Sequence, residues 1–147
     1  MPESEHSRPV VGRILETSLY VENLDASKAF YERVFGFPVL LWDRRMCAMA
    51  VPGRQVLLLF LRGGSVGPSV TPFGAIPPHD GHGAQHLCFS ITRAALDHWA
   101  EHLGRCGIAI ESRVDWPKGG SSLYFRDPDG HSIEVGTPGL WQNDPAD

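Results

Sequence analysis

The sequence predicts an α+β fold of two βαβββ modules, whose strands form a curved mixed sheet of half-barrels with the helices on the outer face. Strand-like and helix-like hydrophobic periods follow one another in the same order twice, and a Gly/Pro-rich stretch separates the two rounds. The two rounds also match residue by residue: Leu19 and Val21 correspond to Phe89 and Ile91, Phe30 to Trp99, Gly36 to Gly107 and Val39 to Ile110. That is the mark of an internal duplication.

The elements can be justified in order. Residues 14–21 alternate apolar and polar and read as a strand. Asn23 caps a helix whose Ala26, Ala29, Phe30 and Val34 recur at helical spacing until Gly36 stops it. Short strands follow near 38–43, 46–51 and 55–62. Residues 63–82 have almost no periodicity and are too long for an ordinary connection, so they read as a linker or a lid. The pattern restarts with a strand over 84–91 and a helix from a Thr92 cap with Leu96, Trp99, Ala100 and Leu103 on one face. Strands near 108–114, 121–126 and 132–136 close the second module. The domain is thus 13–137, with modules 13–62 and 83–137, and the polar segments 1–12 and 138–147 read as loosely held tails, Trp141 being the candidate anchor of the second.

Composition narrows the function. The chain has 147 residues, 42% hydrophobic and 20% charged, which suits one compact domain rather than a disordered segment. A formal charge of −4 and singly scattered basic residues, with only Arg44 and Arg45 adjacent, argue against nucleic acid as a partner. Apolar runs such as Val56 to Leu61 are far short of the roughly 20 residues of a membrane span, and the N-terminus lacks an apolar signal stretch, so no membrane partner and a cytoplasmic location are expected. Cys47, Cys88 and Cys106 are odd in number and form no Cys-x-x-Cys pair, which disfavours disulfides and a zinc ribbon.

Strand alternation says which side chains can meet. Glu16, Ser18 and Tyr20 share one face of the first strand, His86, Cys88 and Ser90 one face of its counterpart, and Ser132, Glu134 and Gly136 one face of the last strand. Each of these polar faces carries one strong metal-binding type, and a curved sheet whose other face lies under helices turns the polar face into a groove. Glu16 and His86 hold equivalent places in the repeat. Aligning Pro52-Gly53 with the Asp127–Gly130 turn sets Glu134 opposite Leu57. A lone Glu on a strand is usually a solvated residue and a lone His a structural one; coincidence on three related strands favours a metal site.

Other patterns carry less. His98-Trp99-Ala100-Glu101-His102 has the spacing of certain zinc peptidases, but the helix buries Leu96, Trp99 and Leu103 and leaves His98, Glu101 and His102 to solvent. His79 and His82 lie in the Gly/Pro segment, in reach of the groove, although loop histidines are more often merely exposed. Gly63-Gly64-Ser65-Val66-Gly67 lacks the following helix that a phosphate cradle needs. Cys88 reads as a small filler on the His86 face.

Four blocks, Leu15-Glu16-Thr17-Ser18-Leu19-Tyr20-Val21, Phe30-Tyr31 with Val34-Phe35-Gly36-Phe37, His86-Leu87-Cys88-Phe89, and Tyr124 through Glu134, resemble the signature blocks of the vicinal oxygen chelate (glyoxalase/bleomycin resistance protein/dioxygenase) superfamily. The resemblance covers residues 13–137 and implies that His86 and Glu134 are metal ligands, with Glu16 where the family commonly has His. Glyoxalase I takes a fourth, carboxylate ligand from the last strand of the first half, which neither Leu57 nor Leu59 can supply, so the likeness stops short of a strict glyoxalase I. A Glu-His-Glu set suits one divalent Zn, Mn, Ni or Fe ion and leaves positions open for two neighbouring substrate oxygens. Glu16 and Glu134 then carry the catalysis, Glu16 as third ligand or as base, and Tyr20, Ser122, Tyr124 and Arg126 line the substrate pocket. The expected function is a divalent-metal-dependent, glyoxalase-like enzyme, of lyase or isomerase, thiol transferase or dioxygenase type, acting on a small vicinally oxygenated metabolite or xenobiotic. The alternative is a metal-free ligand-sequestering protein of the bleomycin-resistance type. Trp42 and Trp116 fit either if they face the groove. The resemblance further implies a homodimer, with the modules closing on one another within a chain or across two.

Overall fold

The computed structural model describes residues 7–145; residues 1–6 of the expected N-terminal tail, and 146–147, lie outside the described residues. The first module runs β1 (Glu16–Val21), α1 (Leu24–Phe35), β2 (Val39–Trp42), β3 (Met46–Val51) and β4 (Gln55–Leu61). A small hairpin, β5 (Ser69–Thr71) and β6 (Gly74–Ile76), occupies the connection. The second module runs β7 (His86–Ser90), α2 (Leu96–Arg105), β8 (Ser112–Asp115), β9 (Ser121–Arg126) and β10 (Ser132–Gly136). The sheets have the same order, β1-β4-β3-β2 and β7-β10-β9-β8, with a parallel first pair and antiparallel remainder in each. The duplicated α+β architecture expected from the sequence is therefore present.

Several expectations change. The connection 63–82 is not structureless, because Thr71 Oγ1 accepts from the Phe73 N–H and donates to the Gly74 carbonyl and so closes a tight hairpin. Thr92 makes no side-chain cap; a 3-10 turn, Arg93–Ala95, leads into α2 instead. The eighth strand starts at Ser112, four residues later than expected. In the C-terminal segment Leu140 packs on Gly120 and Gly136, while residues 141–145 are exposed, Trp141, the candidate anchor, among them.

Asn23 accepts from the Ala26 N–H as the cap of α1, and Gly36 and Gly107 both take left-handed φ just past the helices, which only glycine adopts without cost. The modules share one core. Leu19, Val21, Phe30, Tyr31 and Val34 of the first pack with Leu103, Leu123, Phe125, Ile133 and Val135 of the second. Phe35 joins them, its ring 4.6 Å from Phe89, 5.3 Å from Trp99 and 5.0 Å from Phe37. The helices also satisfy each other's terminal carbonyls: Arg33 donates to Cys106 O at 2.8 Å and His102 Nε2 to Val34 O at 2.8 Å. His102 is therefore half-buried and engaged, not turned to solvent as the helix pattern suggested.

The Asp127–Gly130 turn bolts the modules together. Asp127 accepts from Tyr31 Oη (2.8 Å) and from the Asp129 and His131 N–H groups; Asp129 accepts from the Glu22 N–H and from Ser27 Oγ. His131 Nδ1 accepts from the Gln85 N–H, so its Nε2 carries the proton donated to Tyr20 O at 2.8 Å. With its helical faces buried in this joint, each sheet presents the opposite face as an open groove.

Candidate metal centre and substrate groove

The strand registers fix which residues are equivalent. Glu16 pairs with Val56 and Ser18 with Leu58 in the first module; His86 pairs with Ser132 and Cys88 with Glu134 in the second. With Glu16 equivalent to His86, the counterpart of Glu134 is therefore Leu58 and not Leu57. Leu57, 1% exposed, faces the helices like its true counterpart Ile133. A one-residue slip in a strand moves every side chain to the other face, so the difference decides which leucine lies in the groove.

The second module's groove holds a polar cluster. Glu134 is buried, 5% exposed, with Oε1 3.2 Å from His86 Nε2 and Oε2 accepting from Ser122 Oγ at 2.5 Å. Ser122 in turn accepts from Trp116 Nε1 at 2.9 Å. His86 Nδ1 lies 2.9 Å from the Ser132 carbonyl, which can only accept, so Nδ1 carries a proton. In the neutral ring the Nε2 lone pair then faces a carboxylate oxygen. That arrangement requires a cation between or beside the two, either a proton or a metal ion, and the donor chemistry of one imidazole nitrogen and one carboxylate oxygen fits a divalent transition ion. Tyr124 stands beside this pair, its ring 6.3 Å from His86, and partial burial with the nearby Glu134 charge raises its phenol above the ordinary range. Cys88 shares the face. Burial of its sulfur, then Glu134, push the thiol up to about 12 although the residue is exposed, which suits a neutral neighbour rather than a thiolate ligand.

Glu16 is exposed and lies in the first module's groove with Ser18 and Tyr20. It does not join His86 and Glu134 within the chain: among the described residues, the one group of three metal-binding side chains with ligand atoms inside 4.8 Å is Asp127, Asp129 and His131. That group is the intermodule joint, and its oxygens and ring nitrogens are already committed to protein donors and acceptors.

The remaining predicted pocket residues divide between the two grooves. Tyr20 lines the first, Ser122 and Tyr124 belong to the second, and Arg126 is paired with Glu111 at 2.9 Å and donates to Gly130 O. Trp116 contacts the polar cluster, whereas Trp42 sits across Lys28 of α1, 5.0 Å from its ammonium, away from the first groove. His79 is the residue that sequence reasoning left unassigned. Its Nδ1 is 2.7 Å from Tyr20 Oη and its ring packs edge-on against Phe60 at 4.4 Å, in the groove wall. Pro77 and Pro78, which stiffen the segment just before it, are the only sequence signal of a fixed position.

A profile of the glyoxalase/bleomycin resistance protein/dioxygenase superfamily matches residues 13–135. The chain is 27% identical over 132 residues to a metallothiol transferase FosB of Shouchella clausii, covering 87% of this chain and 82% of that protein. It superposes on a lactoylglutathione lyase from Agrobacterium tumefaciens with a TM-score of 0.81 and 36% identity, over 97% of this chain and 99% of the other. An integron cassette protein of V. cholerae is similar at 26% identity and a TM-score of 0.68, over 89% and 98% of the two chains. No helix among the described residues is long and apolar enough to cross a membrane. Paired modules of one strand order, a His and a Glu on equivalent groove faces and a profile match across nearly the whole double module have one reading: the chain belongs to the glyoxalase/bleomycin resistance protein/dioxygenase superfamily.

Proposed function

We propose that the protein is a divalent-metal-dependent enzyme acting on a small molecule with two neighbouring oxygens, its site completed between two copies of the chain. The observation that carries this reading is the His86–Glu134 pair, in which the imidazole proton is fixed on Nδ1 and the Nε2 lone pair is directed at a buried carboxylate. His86 and Glu134 hold the ion, with Glu16 of the other copy as third ligand. The ion's open positions supply Lewis-acid polarisation of the substrate oxygens. Ser122 holds Oε2 of Glu134 and leaves Oε1 for the ion. Tyr124 offers its hydroxyl to a substrate oxygen beside His86. On dissociating from the ion, Glu16 would serve as the base that takes up the substrate's proton.

Sharing between two copies is supported by surface. Leu40 and Leu41, in the wall of the first groove, are 60% and 55% exposed. An obligate dimer covers such a surface.

The test is metal content after purification without a tag, for wild type, His86→Ala and Glu134→Ala. About one Mn, Fe, Ni or Zn ion per chain, lost in both variants, is the expected result. A wild-type protein that takes up none of these ions on incubation contradicts the reading and leaves a metal-free sequestering protein as the explanation of the grooves.

A further inference from the structure

The two grooves differ in what they offer a ligand, and the difference bears on the substrate class. In β4 both faces are apolar. Leu57 and Leu59 are buried toward the helices, while Val56, Leu58 and Phe60 line the groove half-buried, Phe60 with the His79 ring against its edge. With Leu41, Ala48 and Ile76 they wall a cavity of about 850 Å³ closed on one side by the β5–β6 connection. Its charged side chains are one acid, Glu16, and one base, Arg45, and its other polar groups are hydroxyls and the His79 ring. Tyr20 and His79 are bonded to each other at one end, and Glu16 stands on the same strand as Tyr20. Gly81 lets the connection lie flat on the Tyr20 ring, which a Cβ there would strike, so the Tyr20–His79 pair is fixed in place.

The arginines Arg45 and Arg126 are already hydrogen-bonded. Arg45, the one basic residue of the cavity wall apart from His79, donates to Gly64 O at 3.3 Å and to Ser69 Oγ at 3.1 Å; Arg126 is tied to Glu111. Beyond the metal ion, a phosphonate or other dianion would find no unengaged arginine of the groove walls to repay the rest of its lost hydration, and it would also meet Glu16. We propose, resting on the metal site above, that the first module's groove is the specificity wall. It selects an uncharged substrate with an aromatic or branched apolar body beside its vicinal oxygens, and it rejects small phosphonates. Tyr20 and His79 supply the polar contact at the far end of that body.

Isothermal titration of the Mn-loaded protein with 2-hydroxyacetophenone, hydroxyacetone and fosfomycin tests this, the first two carrying the same vicinal oxygens with and without a phenyl body. The expected order is 2-hydroxyacetophenone tighter than either of the others by at least about tenfold, the size of effect an apolar pocket gives to added hydrocarbon. Chelator-stripped protein binds 2-hydroxyacetophenone more weakly and keeps the preference, and Leu58→Gln and Phe60→Ala each reduce it severalfold. Equal binding of the three, tighter fosfomycin, or no binding of any overturns the proposal. So does a Leu58→Gln protein that becomes monomeric with its preference intact, since the groove is then an interface only. Metal-dependent binding without preference defeats the groove and spares the metal site; preference in a protein that takes up no metal does the reverse.

Discussion

The two modules are the same construction with opposite groove chemistry. At three equivalent pairs of places the first offers Ala48, Leu58 and Phe60 where the second offers Tyr124, Glu134 and Gly136. Their buried faces stay alike: Leu57 and Leu59 match Ile133 and Val135, all at most 1% exposed. The comparison teaches that the fold is specified by the helix-facing residues of each strand, while the groove-facing residues are free to diverge, one set toward ion binding and the other toward an apolar wall.

The sharpest way to break this contrast is to place one amide at the two equivalent positions. Glu134→Gln is expected to weaken metal affinity by at least about 100-fold, beyond the effect of losing an outer partner. Leu58→Gln leaves metal content at the wild-type level in the same titration. Next in size is the joint that lets two unlike modules share a core. Asp127→Ala strands the Tyr31 hydroxyl and two N–H groups and is expected to cost about 3 kcal/mol in urea unfolding, with metal affinity changed far less. Ser122→Ala frees Oε2 of Glu134 without touching the ligands and lowers metal affinity about tenfold. The smallest effect is expected from His102→Ala, about 1 kcal/mol for one half-buried bond to a helix carbonyl.

Much of this was legible before the fold was seen. Alternation in 14–21, 84–91 and 132–136 put Glu16, His86 and Glu134 on groove faces, because a period of two leaves only two choices per strand. Register was harder. Pairing Glu134 with Leu57 rested on aligning turns of unequal length, and in an all-apolar strand such as Val56–Leu61 neither face announces itself. The hairpin at 69–76 was hidden because its stability comes from a local Thr71 turn rather than from hydrophobic period. His79 and Leu140 act through tertiary contacts, with Tyr20 and with Gly120 and Gly136, for which a linear pattern has no sign. Which way Trp42 faces is likewise a tertiary matter: at the end of β2 its ring lies against Lys28 of the helix.

The separation of Glu16 from the His86–Glu134 pair within one chain gives the account its central claim, that each site is assembled from the first module of one copy and the second module of another. Co-expression of differently tagged Glu16→Ala and His86→Ala chains, followed by tandem purification of the mixed dimer and measurement of bound metal, tests it directly. If the site is shared, one site of the mixed dimer loses both residues and the other keeps all of its ligands. The account therefore predicts about one tightly held ion per two chains, with wild-type affinity, where each homodimeric variant is impaired. A mixed dimer no better than its two parents contradicts it, because every chain would then be deficient in a site of its own.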